Sequence, residues 1–196
     1  EDAREIIAEC LGATDEHAVL FCGSGSTAAI AKMVGVLGIR VPSNLDDAHH
    51  LTDHIPAEQR PVVFIGPYEH HSNEVSWRQG LATVVAVRLT EDGGVDLAHL
   101  EALLRDPQYL GRPRIGSFSA ASNVTGMRSP VTEIARLLRR HGALVCMDYA
   151  ASGPYVRIDM GHAEDGPGYL DAIFLSPHKF IGGPGTPGLL VARREL

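Results

Sequence analysis

Residues 172–185 of the chain read AIFLSPHKFIGGPG. The first four residues are apolar and predict a buried strand, which ends where the polar run from Ser176 to Lys179 begins. Lys179 lies between this strand and a glycine-rich turn. A lysine that is partly withdrawn from water has a lowered pKa, as a Schiff-base amine requires. Many lysines are surface charges, however, so this stretch predicts a strand and leaves both interpretations of Lys179 open.

Short apolar runs alternate with helical patterns through the rest of the chain. Such alternation is typical of parallel strands that are joined by crossover helices. Strands are predicted at 18–22, 62–65, 83–89, 114–119, 143–148, 172–176 and 188–192. Helices are predicted at 3–11, at about 27–37, from a cap at Asp96 onward, and from a cap at Ser129 to Gly142. The sequence therefore predicts an α/β fold in a single domain, residues 1–196.

The composition excludes several classes of protein. The 196 residues include 24 acidic and 17 basic side chains, for a formal net charge of −7. No basic cluster offers a field for nucleic acid, and no run of about 18 apolar residues could span a membrane, so we expect neither partner. Cys10, Cys22 and Cys146 lie within apolar stretches, and we predict that they are reduced core thiols of a cytosolic protein.

Polar segments follow several predicted strands at their carboxyl ends. They are 23–27 (GSGST), 69–73 (EHHSN), 122–126 (SNVTG), Asp148 and 176–179. An open α/β sheet forms its ligand crevice at this edge. The glycine-rich segment enters a helix whose free N–H groups suit an anion, although a simple capped turn uses the same residue types. Asp148 ends an apolar strand, which is a costly position for a carboxylate unless a cation faces it.

The order and content of these segments resemble the class V aminotransferase family of pyridoxal-phosphate enzymes, which includes cysteine desulfurases and selenocysteine lyases. The most specific part of the resemblance is the run 176–179 with its glycine turn, supported by Asp148 and by 69–73. The resemblance implies a fold-type-I large domain, which is a three-layer α/β/α structure with a mostly parallel sheet and one antiparallel strand. It also implies pyridoxal 5'-phosphate as cofactor and an amino acid or amine as substrate.

The resemblance further implies a role for each residue of the site. Lys179 would form the Schiff base with the cofactor and transfer protons, and Asp148 would pair with the pyridine nitrogen. His70 would stack on the ring, and Asn123 would bind the ring oxygen. The residues implied at the phosphate are Gly25, Ser26, Thr27, Ser176 and His178.

Two departures from the family pattern bear on these expectations. Many relatives have a glutamine three residues after the aspartate, where this chain has Ala151, which donates no side-chain hydrogen bond. Members usually also have an amino-terminal arm and a smaller carboxyl-terminal domain, which supplies an arginine for the substrate carboxylate and the loop cysteine of desulfurases. We therefore expect an incomplete large domain that by itself binds the cofactor weakly and turns over slowly or not at all. We expect the native enzyme to be a cytoplasmic homodimer.

Three alternatives remain open at this point. The segment 23–28 matches G-x-G-x-x-A and is followed by Asp46, as in an NAD(P)-binding domain of an oxidoreductase, although no apolar strand precedes Asp46. His50 and His54 have the helical spacing of metal ligands, but they lack the glutamate of H-E-x-x-H, and 41–61 is predicted as a solvated connection. A catalytically inactive module on the pyridoxal-phosphate fold is the third alternative.

Overall fold

The computed structural model describes residues 2–161 and 168–196. The strands are β1 (His17–Cys22), β2 (Val62–Ile65), β3 (Thr83–Ala86), β4 (Arg114–Ser119), β5 (Leu144–Asp148), β6 (Ala172–Leu175) and β7 (Gly188–Arg193). The helices are α1 (Asp2–Cys10), α2 (Gly25–Val36), α3 (Ser43–His49), α4 (Ser72–Arg78), α5 (Leu97–Arg105) and α6 (Val131–Arg140). Short 3-10 turns include 51–54, 57–59, 107–109 and 177–179.

The seven described strands form one sheet in the order β1-β7-β6-β5-β4-β2-β3. β7 runs antiparallel to both of its neighbours, β1 and β6. The other neighbouring pairs are parallel. Parallel neighbours need crossover connections, which the helices supply. The predicted α/β class and the mostly parallel sheet with one antiparallel strand are therefore confirmed.

Alternate residues of the strands pack into two apolar cores, one on each face of the sheet. On β5, Val145 and Met147 belong to the core that Leu104 of α5 and Leu138 of α6 complete. Cys146, between them, belongs to the core that α2 and α4 complete. Successive side chains of a strand point to opposite faces, so this alternation requires helices on both faces. The three-layer α/β/α architecture is therefore confirmed.

The same alternation places polar strand-end residues on the face covered by α2 and α4. Ile115 of β4 packs in that core, and Ser117 and Ser119 follow it at intervals of two residues. Asp148 follows Cys146 by the same interval. Because β4 and β5 are parallel neighbours, these strand ends meet at one edge of the sheet, where Ser119 is paired with Asp148.

The two predicted helix caps have different outcomes. Asp96 caps α5, because its carboxylate accepts a hydrogen bond of 2.9 Å from the backbone N–H of His99. The prediction of Ser129 as the cap of α6 is wrong, because its hydroxyl donates to the backbone oxygen of Ser119 at 2.6 Å. Pro130 is the N-cap instead. A long-range bond to β4 thus replaces the local one.

Two predicted segments differ from the structure in extent. β3 ends at Ala86 rather than at 89, because the chain leaves the sheet there and Leu89 forms only an isolated bridge. The connection at 41–61 is exposed or half-buried throughout, as predicted, and it also contains α3 and two 3-10 turns. The carboxylate of Asp46 accepts hydrogen bonds from the N–H and hydroxyl of Thr52, at 2.7 and 2.6 Å. This local arrangement needs no apolar periodicity.

The three cysteines lie at different depths in the structure. Cys146 is buried in β5 and Cys22 is half-buried at the end of β1, whereas Cys10 is exposed on α1. The prediction of Cys10 as a core thiol is therefore wrong, because α1 buries none of its residues fully. The sequence also predicts a surface loop at 161–168, of which residues 162–167 lie outside the described residues. None of the described helices is long and apolar enough to cross a membrane.

Candidate active site

A cleft of about 420 Å3 opens at the carboxyl ends of β4, β5 and β6, beside the amino ends of α2 and α4. All of the residues that the sequence predicts for the site line this cleft. They are Gly25, Ser26, Thr27, His70, Asn123, Asp148, Ser176, His178 and Lys179. The cleft is also lined by Ser24, Ser72, Ser119, Ala121, Ala150 and Ala151. The common edge of the parallel strands brings these distant segments together.

The carboxylate of Asp148 and the amine of Lys179 share the cleft. Asp148 ends β5 and is only 4% exposed. Burial raises the pKa of Asp148 to about 6, while the N–H of Ala150, the charge of Lys179 and the hydroxyl of Ser26 act in the opposite direction. The Ala150 N–H donates to Oδ1 of Asp148 at 2.9 Å. A carboxylate in this environment is ionised at neutral pH and favours a cationic or protonated group opposite it.

The turn that leads into α2 forms a narrow cradle. Gly25 has a φ of 60°, and a Cβ there would lie 2.7 Å from Cε1 of His178 and 3.1 Å from Oγ of Ser176. The backbone N–H of Ser26 donates to the Ser176 hydroxyl at 2.8 Å. Ser24 at the N-cap makes no side-chain cap bond within the described structure. Apart from the N–H of Ser26, the N–H groups of the first turn and the positive end of the helix dipole are therefore available to an anion.

His70 faces the cleft from the turn before α4. Its Nδ1 accepts a hydrogen bond of 3.2 Å from the backbone N–H of Ser72 and lies 3.0 Å from the Ser72 hydroxyl. That hydroxyl also lies 2.5 Å from Oγ1 of Thr27 in α2. Burial, with smaller contributions from the charges of Lys179 and His71, lowers the pKa of His70. The lowered pKa favours the neutral form of the imidazole.

Glu69 is a buried carboxylate that the sequence does not single out. Its Oε1 accepts hydrogen bonds from the N–H groups of Gly66 and Ser119, at 3.1 and 2.8 Å. Its Oε2 accepts from the Asn73 amide and the Ser119 hydroxyl, at 2.7 and 2.6 Å. Burial raises the pKa of Glu69 to about 7 against these donors. Glu69 therefore ties the turn that carries His70 to the end of β4.

Asn123 and Ala151 belong to the loops that border the cleft. Asn123 lies in the turn after β4, where the Ser122 hydroxyl accepts hydrogen bonds of 3.2 Å from the N–H groups of Val124 and Thr125. The turn is thus held by its own side chain, and Asn123 is presented to the cleft. Ala151 contributes a methyl group, so a side-chain donor is missing from this part of the wall.

The structure gives no support to two of the alternatives. Asp46 lies within α3 rather than at the end of a strand, so the dinucleotide fingerprint is incomplete. His50 lies beside Asp53, with Nδ1 and Oδ2 3.7 Å apart, on the exposed surface. Within residues 2–161 and 168–196, no group of three or more histidine, cysteine or acidic residues could hold a metal ion.

A family model described as Aminotransferase class-V matches residues 1–196. The chain belongs to the class V aminotransferase family. The resemblance inferred from the strand-end segments is thereby confirmed. The chain shares its fold with the apo structure of a cysteine desulfurase from Thermococcus onnurineus NA1, which superimposes with a TM-score of 0.72 at 20% identity. That superposition covers 99% of this chain and 42% of the other.

Curated relatives of this class V chain include several proteins named as probable cysteine desulfurases. One from Streptomyces coelicolor is 30% identical over 203 residues, which cover 100% of this chain and 42% of the relative. One from Chlamydia muridarum is 36% identical over 142 residues, which cover 69% of this chain and 32% of the relative. The chain thus spans less than half the length of these relatives.

Proposed function

We propose that the cleft binds pyridoxal 5'-phosphate and that residues 1–196 form the cofactor-binding large domain of a transferase or lyase acting on an amino acid. Membership of the class V family supports this proposal, and the names of the relatives favour cysteine as substrate. The observation that carries the proposal is the presence of Asp148 and Lys179 in one cleft, beside the cradle at Gly25.

The donor groups of the cleft fit this cofactor. Gly25 packs against His178 and Ser176 so closely that a Cβ there would lie 2.7 Å from Cε1 of His178, so only glycine lets the backbone reach this wall of the cleft. With the first turn of α2, Ser26 and Thr27, these residues would hold a phosphate group. Asp148, His70 and Asn123 lie farther along the same cleft and would contact the aromatic ring.

Asp148 would set the charge of the ring. When bound, the cofactor supplies an aldehyde that attaches amines and an aromatic ring that withdraws electrons from them. Above pH 6 the ionised Asp148 carboxylate would hold a proton on a ring nitrogen placed against it. Because the carboxylate is buried, its charge is screened less than it would be in water.

Lys179 would hold the cofactor covalently through Nζ and accept or return a proton at that atom. Burial lowers the pKa of the neighbouring His70, which makes its imidazole a weaker base that would compete less with Lys179 for that proton. Homodimeric assembly, a cytoplasmic location and weak cofactor binding by the chain alone belong to the same proposal, on the strength of the family resemblance.

The sequence allows a direct test of Lys179, because it contains only one other lysine, Lys32. Incubation with pyridoxal 5'-phosphate followed by borohydride should fix the cofactor on Lys179, as peptide mass spectrometry would show. The Lys179→Ala variant should lose this adduct, since no other amine lies among the described residues that line the cleft. The matched control, Lys32→Ala, should retain it.

An adduct that persists in the Lys179→Ala variant, or that forms on Lys32, would contradict the proposal. Release of sulfur from cysteine or transfer of an amino group would reject the catalytically inactive module, whereas slow or absent turnover is expected of an incomplete large domain as well. The spectrum of fixed peptides and the assay for products therefore separate cofactor binding from catalysis.

A further inference from the structure

The hydrogen bonds around His70 determine which of its nitrogens carries the proton. The backbone N–H of Ser72 approaches Nδ1 at 3.2 Å. A backbone N–H can only donate, so Nδ1 must present its lone pair. In a neutral imidazole the proton then lies on Nε2. The heavy-atom positions thus fix the tautomer of the neutral ring.

The Ser72 hydroxyl continues this arrangement. Its oxygen lies 3.0 Å from Nδ1 of His70. Because Nδ1 is an acceptor, the hydroxyl must donate to it, since two lone pairs would otherwise face each other at that distance. The Ser72 oxygen also lies 2.5 Å from Oγ1 of Thr27, so the Thr27 hydroxyl must donate to Ser72. The donors therefore run in one direction, from Thr27 through Ser72 to His70.

The side chain of Ser72 is enclosed by the groups that it connects. Its side chain is buried at the first residue of α4, between the imidazole and the amino end of α2. Other charged or titratable groups that act on the imidazole are Lys179, which follows β6, and His71, which lies beside His70 on the same turn. Both disfavour a second proton on the ring. Protonation of Nδ1 would also require the N–H contact to break and both hydroxyls to reverse.

We propose that Ser72 is a positioning residue that holds His70 as a neutral imidazole with its proton on Nε2 and ties the ring to Thr27 in the cradle. The consequence for catalysis rests on the proposed function, because it matters only if His70 lies against the cofactor ring. A fixed neutral imidazole can stack on a ring without competing for its protons. Ser72 would thereby couple the part of the cleft suited to phosphate to the part suited to the ring.

The test is a nitrogen-15 NMR measurement of His70 in the cofactor-free protein. In the wild type, the shifts should show Nδ1 without a proton and Nε2 with one, at neutral pH. The Ser72→Ala variant removes one donor to the lone pair and should raise the pKa of His70 by about 0.5 to 1 unit. Ser72→Thr keeps the hydroxyl and should restore the wild-type value. Ser76→Ala, on the same helix and outside the cleft, is the matched control and should change nothing.

A proton on Nδ1 in the wild type would overturn the proposal, and this measurement needs no variant to fold. An unchanged or lowered pKa of His70 in Ser72→Ala would overturn it as well, even if the variant is less stable, because a purely structural role would leave the imidazole as it is. The Lys179 adduct is an independent result. If the adduct forms and the NMR result fails, only the role of Ser72 is wrong, whereas the opposite outcome rejects the proposed function alone.

Discussion

At the position of Asp148, an uncharged side chain would leave the folded state more stable than an ionised carboxylate does. The residue ends an apolar strand, and burial raises its pKa from 3.8 to about 6. One pKa unit corresponds to about 1.4 kcal/mol, so the ionised side chain costs the cofactor-free protein about 3 kcal/mol at most. A cationic or protonated group in the cleft would offset that cost, as expected of a binding site.

Replacement of this carboxylate by an amide should stabilise the cofactor-free protein at pH 8. Because the pKa of Asp148 is raised on folding, its contribution to stability is fully present below pH 3.8 and is lost as the pH rises through about 6. The Asp148→Asn variant keeps an oxygen for the Ala150 N–H and does not titrate. Its free energy of unfolding should exceed that of the wild type by up to about 3 kcal/mol at pH 8 and by little near pH 4.

Urea unfolding at the two pH values measures this difference. Asp47→Asn, at an exposed position of α3, is the matched control and should leave both free energies nearly unchanged. A cofactor-free Asp148→Asn protein that is less stable than the wild type at pH 8 would show that the buried carboxylate is compensated within the chain itself.

The sequence identifies some residues of the cleft and not others for a physical reason. A polar residue directly after an apolar strand is conspicuous, and this pattern finds Asp148 and Lys179. Ser72 and Glu69 are missed because their partners are distant in sequence. Ser72 contacts Thr27, 45 residues away, and Glu69 contacts Ser119, 50 residues away. No local pattern pairs such residues, and the roles of the cleft residues toward a cofactor stay predictions.

At the scale of elements, the antiparallel strand β7 supports the cradle. Its first residue, Gly188, donates its N–H to the oxygen of Gly23 at 3.0 Å. A Cβ at Gly188 would lie 1.9 Å from the oxygen of Gly25. Only glycine permits so close an approach of two backbone segments. The start of β7 therefore fixes the turn from which α2 begins.

A methyl group at this contact should disturb the cleft without touching any of its polar side chains. Gly188→Ala is expected to displace the turn at 23–27 and to lower the affinity for pyridoxal 5'-phosphate at least tenfold, with a loss of stability of about 1 to 3 kcal/mol. Titration with the cofactor and thermal unfolding measure the two effects. Unchanged affinity in this variant would show that the turn does not depend on β7.

Gly35→Ala is the matched control for that substitution. Gly35 lies on the exposed side of α2, and a Cβ there would meet no atom within 4 Å. Because alanine favours a helix interior over glycine, this change should raise the free energy of unfolding by up to about 1 kcal/mol and leave cofactor affinity as it is.

Prediction of the elements succeeds where burial determines the sequence. The run 62–65 is entirely apolar, and β2 has these bounds, because a central parallel strand is buried on both faces. α3 escapes prediction for the opposite reason, since it buries no residue and therefore shows no apolar periodicity. The contact between Asp46 and Thr52 that holds its end is visible only in three dimensions.

At the scale of the whole molecule, one sheet connects the described segments and separates two apolar cores. The period of two along each strand sends Asp148 and Ser119 to the same face, while their neighbours Met147 and Phe118 pack into the apolar core of the other face. Stability and the candidate site are thus assigned to alternate residues of the same strands. That residues 1–196 are one domain, and an incomplete one, stays a prediction.

Because the three thiols are buried to different depths, the labelling rate of the deepest one can measure how often the folded state opens. Burial raises the pKa of the Cys146 thiol far above its usual range, so a maleimide should react with it only when the sheet comes apart. In a Cys10→Ser, Cys22→Ser background, the labelling rate of Cys146 should fall as pyridoxal 5'-phosphate is added, because a ligand that binds the folded state lowers the opened fraction. A rate independent of the cofactor would mean that it does not bind the folded chain. The labelling rate of Cys146 would therefore detect cofactor binding even in a protein that converts no substrate.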